Sequence, residues 1–151
     1  MNILETIIAE KEIEVSRQKA LFPFAVLEQS EFFNRKTFSL KEFLLDETKT
    51  GIIAEFKRKS PSKGIINDRS DVVDVTKAYT ANGASCLSVL TDEIFFGGTA
   101  ADLKSARVNN IPILRKDFII DEYQIMEARA MGADVILLIA ACLSVEEVKD
   151  F

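Results

Sequence analysis

The chain has 151 residues, 48% of them hydrophobic and 28% charged, a balance that suits one folded domain and excludes a disordered one. Its formal net charge of -5 argues against general nucleic-acid binding, yet a local cluster of cations can still serve a small anion. Histidine is absent. That removes the commonest general base, the Ser-His triads and most zinc sites, and leaves Lys, Glu, Asp or Tyr for any acid–base chemistry.

The opening "MNILETIIAEKEIEVSRQK" is broken by charges throughout and does not read as a signal peptide. No run approaches the ~18 apolar residues of a membrane span, so a cytoplasmic protein is expected. Leu4, Ile7, Ile8 and Val15 recur at helical spacing and predict an amphipathic helix over residues 3 to 20. "FSLKEFLLD", residues 38 to 46, predicts a second, short helix. Residues 1–50 are read as a helical extension and 51–151 as the regular domain.

"GIIAEFK" (51–57) is the first expected strand, with its charges at the C-terminal end. "DVVDVTKAYTANGA" (71–84) is a helix that ends at Asn-Gly. "SCLSVLTD" (85–92) is a strand, and "TAADLKSARVNN" (99–110) a helix opened by Thr99. "IPILRKDF" (111–118) is a strand with Pro112 at its entry, where proline is tolerated. "DEYQIMEARAMGA" (121–133) is a helix, and "DVILLIAACL" (134–143) a strand. Ser144 and Glu147 form a capping box at the start of a last helix.

The alternation βαβαβαβα, with strands apolar on both faces, predicts a parallel sheet covered by helices. A doubly wound sheet and part of a (β/α)8 barrel both fit, and both place chemistry at the C-terminal ends of the strands. No GxGxxG or P-loop follows the first strand, which weakens a nucleotide-binding reading. A (β/α)8 barrel needs roughly 200 residues or more. The expected architecture is therefore α/β, the first four βα units of a (β/α)8 TIM barrel behind an N-terminal helical extension.

Strand alternation puts Glu55 and Lys57 on one face near the end of the first strand. Such a pair either closes a barrel layer structurally or works in a site. Lys116, in "LRKDF", is a second lysine delivered to the same face, and repulsion between two ammonium groups would ease loss of a proton. Arg115 is read as part of a solvated charge run. Phe95 and Phe96, beside Gly97 and Gly98, either pack on the core or face an aromatic ligand. "SPSKG" (60–64) offers hydroxyls and cations to a carboxylate or phosphate, and a solvated basic loop would look the same. Cys86 and Cys142 lie in apolar runs and are read as reduced, buried thiols rather than a disulfide or metal site.

Four blocks, "IIAEFKRKSPSKG", "SVLTDEIFFGG", "PILRKDFIIDEYQI" and "GADVILLIAACL", resemble the indole-3-glycerol-phosphate synthase family in order and spacing along essentially the whole chain. The resemblance implies a (β/α)8 barrel with extra N-terminal helices. It implies a tryptophan-pathway carboxy-lyase acting on 1-(2-carboxyphenylamino)-1-deoxyribulose 5-phosphate, a small substrate bearing phosphate and carboxylate, with loss of carbon dioxide and water. No cofactor, metal, nucleic acid or membrane is implied. By motif, Lys116 resembles the general acid, Lys57 the lysine that holds the substrate's anionic groups, and Glu55 the glutamate that positions them. Ser60 resembles a substrate-contacting serine, and Phe96, Phe118 and Leu137 resemble apolar residues around the substrate ring. Ile94 departs from the lysine that many members carry in "DEKFF".

The family's second catalytic glutamate, an asparagine and the main phosphate loops belong to later strands. The 151-residue chain alone is thus expected to be nearly inactive. Alternatives are a non-catalytic half-barrel that self-associates or pairs with a complementing C-terminal half, and another phosphate-handling barrel such as phosphoribosylanthranilate isomerase. The first strand's "AEFKRKSPSKG" argues against that isomerase.

Overall fold

A computed structural model describes residues 2–151. Helices α1 (Ile3–Leu21), α2 (Phe24–Leu27) and α3 (Leu40–Leu45) precede strand β1 (Ile53–Phe56). A small hairpin, β2 (Lys59–Ser60) and β3 (Gly64–Ile65), comes next, followed by α4 (Val72–Ala81), β4 (Cys86–Leu90) and α5 (Ala100–Ala106). The chain continues through β5 (Ile113–Lys116), α6 (Tyr123–Met131), β6 (Val135–Ile136) and α7 (Val145–Asp150). Strands β1, β4, β5 and β6 form one parallel sheet in that spatial order, each beside the next in sequence once the hairpin is set apart.

Alternation along each strand decides which face meets the helices. Ala54, Phe56, Leu87, Val89, Ile113 and Ile136 pack with Val72, Leu103, Ala106, Ala128 and Met131 of α4, α5 and α6 in one apolar core. The opposite parity, Ile53, Glu55, Ser88, Leu114 and Val135, forms the other face. On it Glu55 pairs with Ser88, Ser88 with Leu114, and Leu114 with Val135. Helix starts are set by side-chain caps: Asp71 for α4, Thr99 for α5 and Ser144 for α7 each accept from backbone N–H groups. Gly132, at φ 96°, ends α6 in the left-handed region that glycine enters without strain.

The extension is bolted to this unit by polar contacts. Asp134, just before β6, accepts from Arg35, from the Phe38 N–H, from Arg107 and from the Ile113 N–H. Tyr123 of α6 donates to the carbonyls at the end of α1, Gln18 at 3.1 Å and Phe22 at 2.9 Å.

Three features depart from the sequence reading. The strand expected over 134–143 is paired only at Val135–Ile136, where β6 forms a sheet edge beside β5. The "SPSKG" segment, read as a loop, is the turn of the β2–β3 hairpin, with Ser60 opposite Gly64. Arg115 is no solvated charge: it is 2% exposed. Its guanidinium donates to Thr91 Oγ1 and the Gln124 carbonyl, and pairs with Asp117 and Glu127 at 3.2 and 2.8 Å. The cause is parity, since Arg115 sits on the helix-facing side of β5 among groups that engage each of its three nitrogens.

Candidate active site

Glu55 and Lys57 come from the C-terminal end of β1 and Lys116 from that of β5, as strand alternation requires. Between those strands, β4 supplies Ser88. The Glu55 carboxylate is the shared acceptor: Lys116 Nζ reaches Oε2 at 3.1 Å, Ser88 Oγ donates to the same oxygen at 2.9 Å, and Lys57 Nζ lies 3.3 Å from Oε1. The three charged side chains remain about one-third exposed, at 29% for Glu55, 34% for Lys57 and 35% for Lys116. Burial opposes ionisation of Glu55. The hydrogen bonds from Lys116, Ser88 and Lys57 and the positive charge of Lys116 together outweigh it and hold the carboxyl below its ordinary value. The two lysines foreseen as repelling neighbours are thus joined through a carboxylate of opposite charge.

Beside Lys57 the hairpin and the β4–α5 loop shape a cavity of about 640 Å³, which neither Glu55 nor Lys116 lines. Lys57, Ser60, Lys63, Phe96 and Phe118 line it, with Ile3, Leu4 and Ile7 of α1 along one side. The rings of Phe96 and Phe118 stand 6.1 Å apart at 37°. Ser60 is nearly buried, and its hydroxyl accepts from the Lys63 N–H. Leu137 is half-buried and not among the lining residues. Extending the β5–β6 register by two residues sets it level with Lys116.

The cationic cluster of residues 57–63 divides by task. Lys57 and Lys63 face the cavity. Arg58 forks onto both oxygens of Asp102 and lies over the Phe56 ring at 4.7 Å. Lys59 donates to the Ile94 carbonyl at 2.7 Å, tying the hairpin to the β4–α5 loop. That loop needs Gly98: a Cβ there would stand 2.0 Å from the Leu90 carbonyl oxygen.

Sequence reasoning missed Ser88, Lys11, Asp92 and Asp117. Lys11 left a readable signal, since it falls on the stripe of Leu4, Ile7 and Val15. In the structure its ammonium is 1% exposed and lies 3.0 Å from Asp92, 2.9 Å from Asp117 and 2.8 Å from Glu14. No helix among the described residues is long and apolar enough to cross a membrane.

A parallel sheet with an ionic triad and an aromatic-walled cavity at its C-terminal edge is the arrangement of a (β/α)8-barrel enzyme site. A family model described as indole-3-glycerol phosphate synthase matches residues 4–151. The chain belongs to that family, which decides against the isomerase alternative. A protein of that name from Bacteroides thetaiotaomicron is 46% identical over 150 residues, covering 99% of this chain and 57% of its own length. Similar proteins of the same name from Azoarcus sp. and Dechloromonas aromatica are 44% and 43% identical, and each is covered over 58% of its length. The chain therefore spans under two thirds of the curated relatives it matches.

Proposed function

We propose that this chain forms one wall of an indole-3-glycerol-phosphate synthase site. The reaction closes the ring of 1-(2-carboxyphenylamino)-1-deoxyribulose 5-phosphate. A ring carbon bonds to the ketone carbon, carbon dioxide leaves with its bonding pair returned to the ring, and the new hydroxyl takes up a proton and departs as water while the neighbouring CH2 carbon gives up a proton to form the ring double bond. Lys116 gives the proton that the ketone oxygen takes up as the bond forms. Lys57 holds the substrate's anionic groups, and Glu55 fixes both ammonium groups relative to each other. Phe96 and Phe118 flank the aromatic ring, Leu137 adds apolar surface beside Lys116, and Ser60 contacts the substrate. The observation that carries this reading is the Glu55 carboxylate bridging Lys116 and Lys57, with Lys57 also lining an aromatic-walled cavity.

Residues 51–151 act in this reading as the first half of the barrel and residues 1–50 as its helical extension. Turnover then takes further strands. Both β1 and β6 are sheet edges, and Ile52 and Ile53 stand 57% and 42% exposed beside β1, a surface suited to a complementing half or a second copy. The reaction would run in the cytoplasm, where the free thiols Cys86 and Cys142 stay reduced.

The test joins the chain to the C-terminal part of the Bacteroides thetaiotaomicron relative and follows indole-3-glycerol phosphate formation. The joined protein is expected to turn over, Lys116→Ala to lose about 10²- to 10⁴-fold with its fold intact, and the 151-residue chain alone to be nearly inactive. Undiminished turnover in Lys116→Ala would overturn the assignment of the acid, and ready turnover by the chain alone would overturn the need for a second half.

A further inference from the structure

Lys11 is a fully buried ammonium that the proposed reaction does not use. Its partners are not arbitrary carboxylates. Asp92 binds Lys11 through Oδ2 and with Oδ1 accepts the N–H groups of Phe95 and Phe96, at 2.8 and 3.2 Å. Asp117 accepts both Lys11 and the Phe118 N–H on the same oxygen, Oδ1, at 2.9 and 2.8 Å. One side chain of α1 thus reaches the backbone of both rings that wall the cavity, each through a single aspartate. The same helix lines that cavity with Ile3, Leu4 and Ile7.

We propose that Lys11 is a positioning residue, whose ammonium sets the spacing of the Phe96 and Phe118 rings and locks it to the docking of α1 over the site. This rests on the reading of those two rings as the aromatic wall. The opposite oxygen of Asp117 is already engaged by Arg115 and Thr91, so that carboxylate is a fixed post and not a mobile counter-ion. Burial works against the charge on Lys11. The carboxylates of Asp117, Asp92 and Glu14 outweigh it, so the ammonium keeps its proton throughout the neutral range.

Amide hydrogen exchange on the chain tests this without turnover, so its failure is distinct from failure of the catalytic reading, which the assay above decides. In Lys11→Met the amides of Phe95, Phe96 and Phe118 are expected to exchange about tenfold faster, with those of Leu87 and Val89 in β4 unchanged. Ile7→Ala thins the packing of the same helix but keeps the ammonium, and should leave the three amides within about threefold of wild type. Unchanged phenylalanine amides in Lys11→Met, a uniform rise across β4, or the same selective rise in Ile7→Ala would each overturn the proposal. Should Lys11→Met fail to fold, the charge-balanced Lys11→Met with Asp92→Asn carries the same expectation at Phe118 and is overturned by an unchanged Phe118 amide.

Discussion

Arg115→Met is the sharpest probe of what holds this sheet to its helices. The methionine is close in length and apolar, so the change deletes the guanidinium and little packing volume. Four contacts go with it: Thr91 and the Gln124 carbonyl at 3.0 Å each, Asp117 at 3.2 Å and Glu127 at 2.8 Å. Asp117 stays buried and keeps only Lys11, Thr91 and its neighbouring N–H. Glu127 is 12% exposed and can turn toward water. Breaking a buried pair from one side costs ~3–5 kcal/mol, and the escape of Glu127 puts this case near the lower end. With a urea slope of roughly 1–3 kcal/mol/M, the midpoint should fall by about 1 M or more. Arg115→Lys keeps the charge and loses the fork, so it should fall between the two, and it supplies the measurement if the methionine variant does not fold. A loss under about 1 kcal/mol, the value of an exposed pair, would refute the reasoning.

Two further outcomes follow from named contacts. Gly98→Ala should cost at least about 3 kcal/mol, because its Cβ meets the Leu90 carbonyl oxygen at 2.0 Å and backbone has to move. Gly97→Ala should cost only about 1–2 kcal/mol, the strain of φ 66°, since its Cβ meets the flexible Lys59 chain at 3.3 Å. Chemical denaturation that ranks the two in the reverse order would refute this. Acid sensitivity comes from Asp117: burial opposes its charge, but Arg115 and Lys11 outweigh burial and hold its carboxyl below the ordinary value. A depressed carboxyl contributes its full stability above the unfolded value of about 3.9 and loses it as pH falls through the lower folded value. Glu14 runs the other way, since burial raises its carboxyl and protonation relieves a cost. Urea midpoints measured from pH 6 to 3 should therefore fall less steeply in Asp117→Asn than in wild type, and equal slopes would count against the assignment.

The sequence by itself determined the βαβα order, the helix caps and the face that carries Glu55, Lys57 and Lys116. These follow from local spacing: a period of two along a strand, and a hydroxyl or carboxylate ahead of a helical stripe. It also carried the family's motifs, because they are contiguous. Tertiary structure decided the rest. A two-residue alternation says that Glu55 and Lys57 share a face. It does not say that Ser88, thirty-three positions away, donates to the same carboxylate as Lys116. The same limit made Arg115 read as solvated. "LRKDF" looks like a charge run at a strand end, and only the sheet's packing against α6 shows one cation turned inward to Asp117 and Glu127 while its neighbour Lys116 turns to Glu55 on the opposite face. Lys11 interrupted an apolar stripe in plain view, but two of its three carboxylates, Asp92 and Asp117, come from beyond the ends of two strands far along the chain. Charge in a folded chain is settled by what surrounds it in space, and residues distant in sequence supply those surroundings.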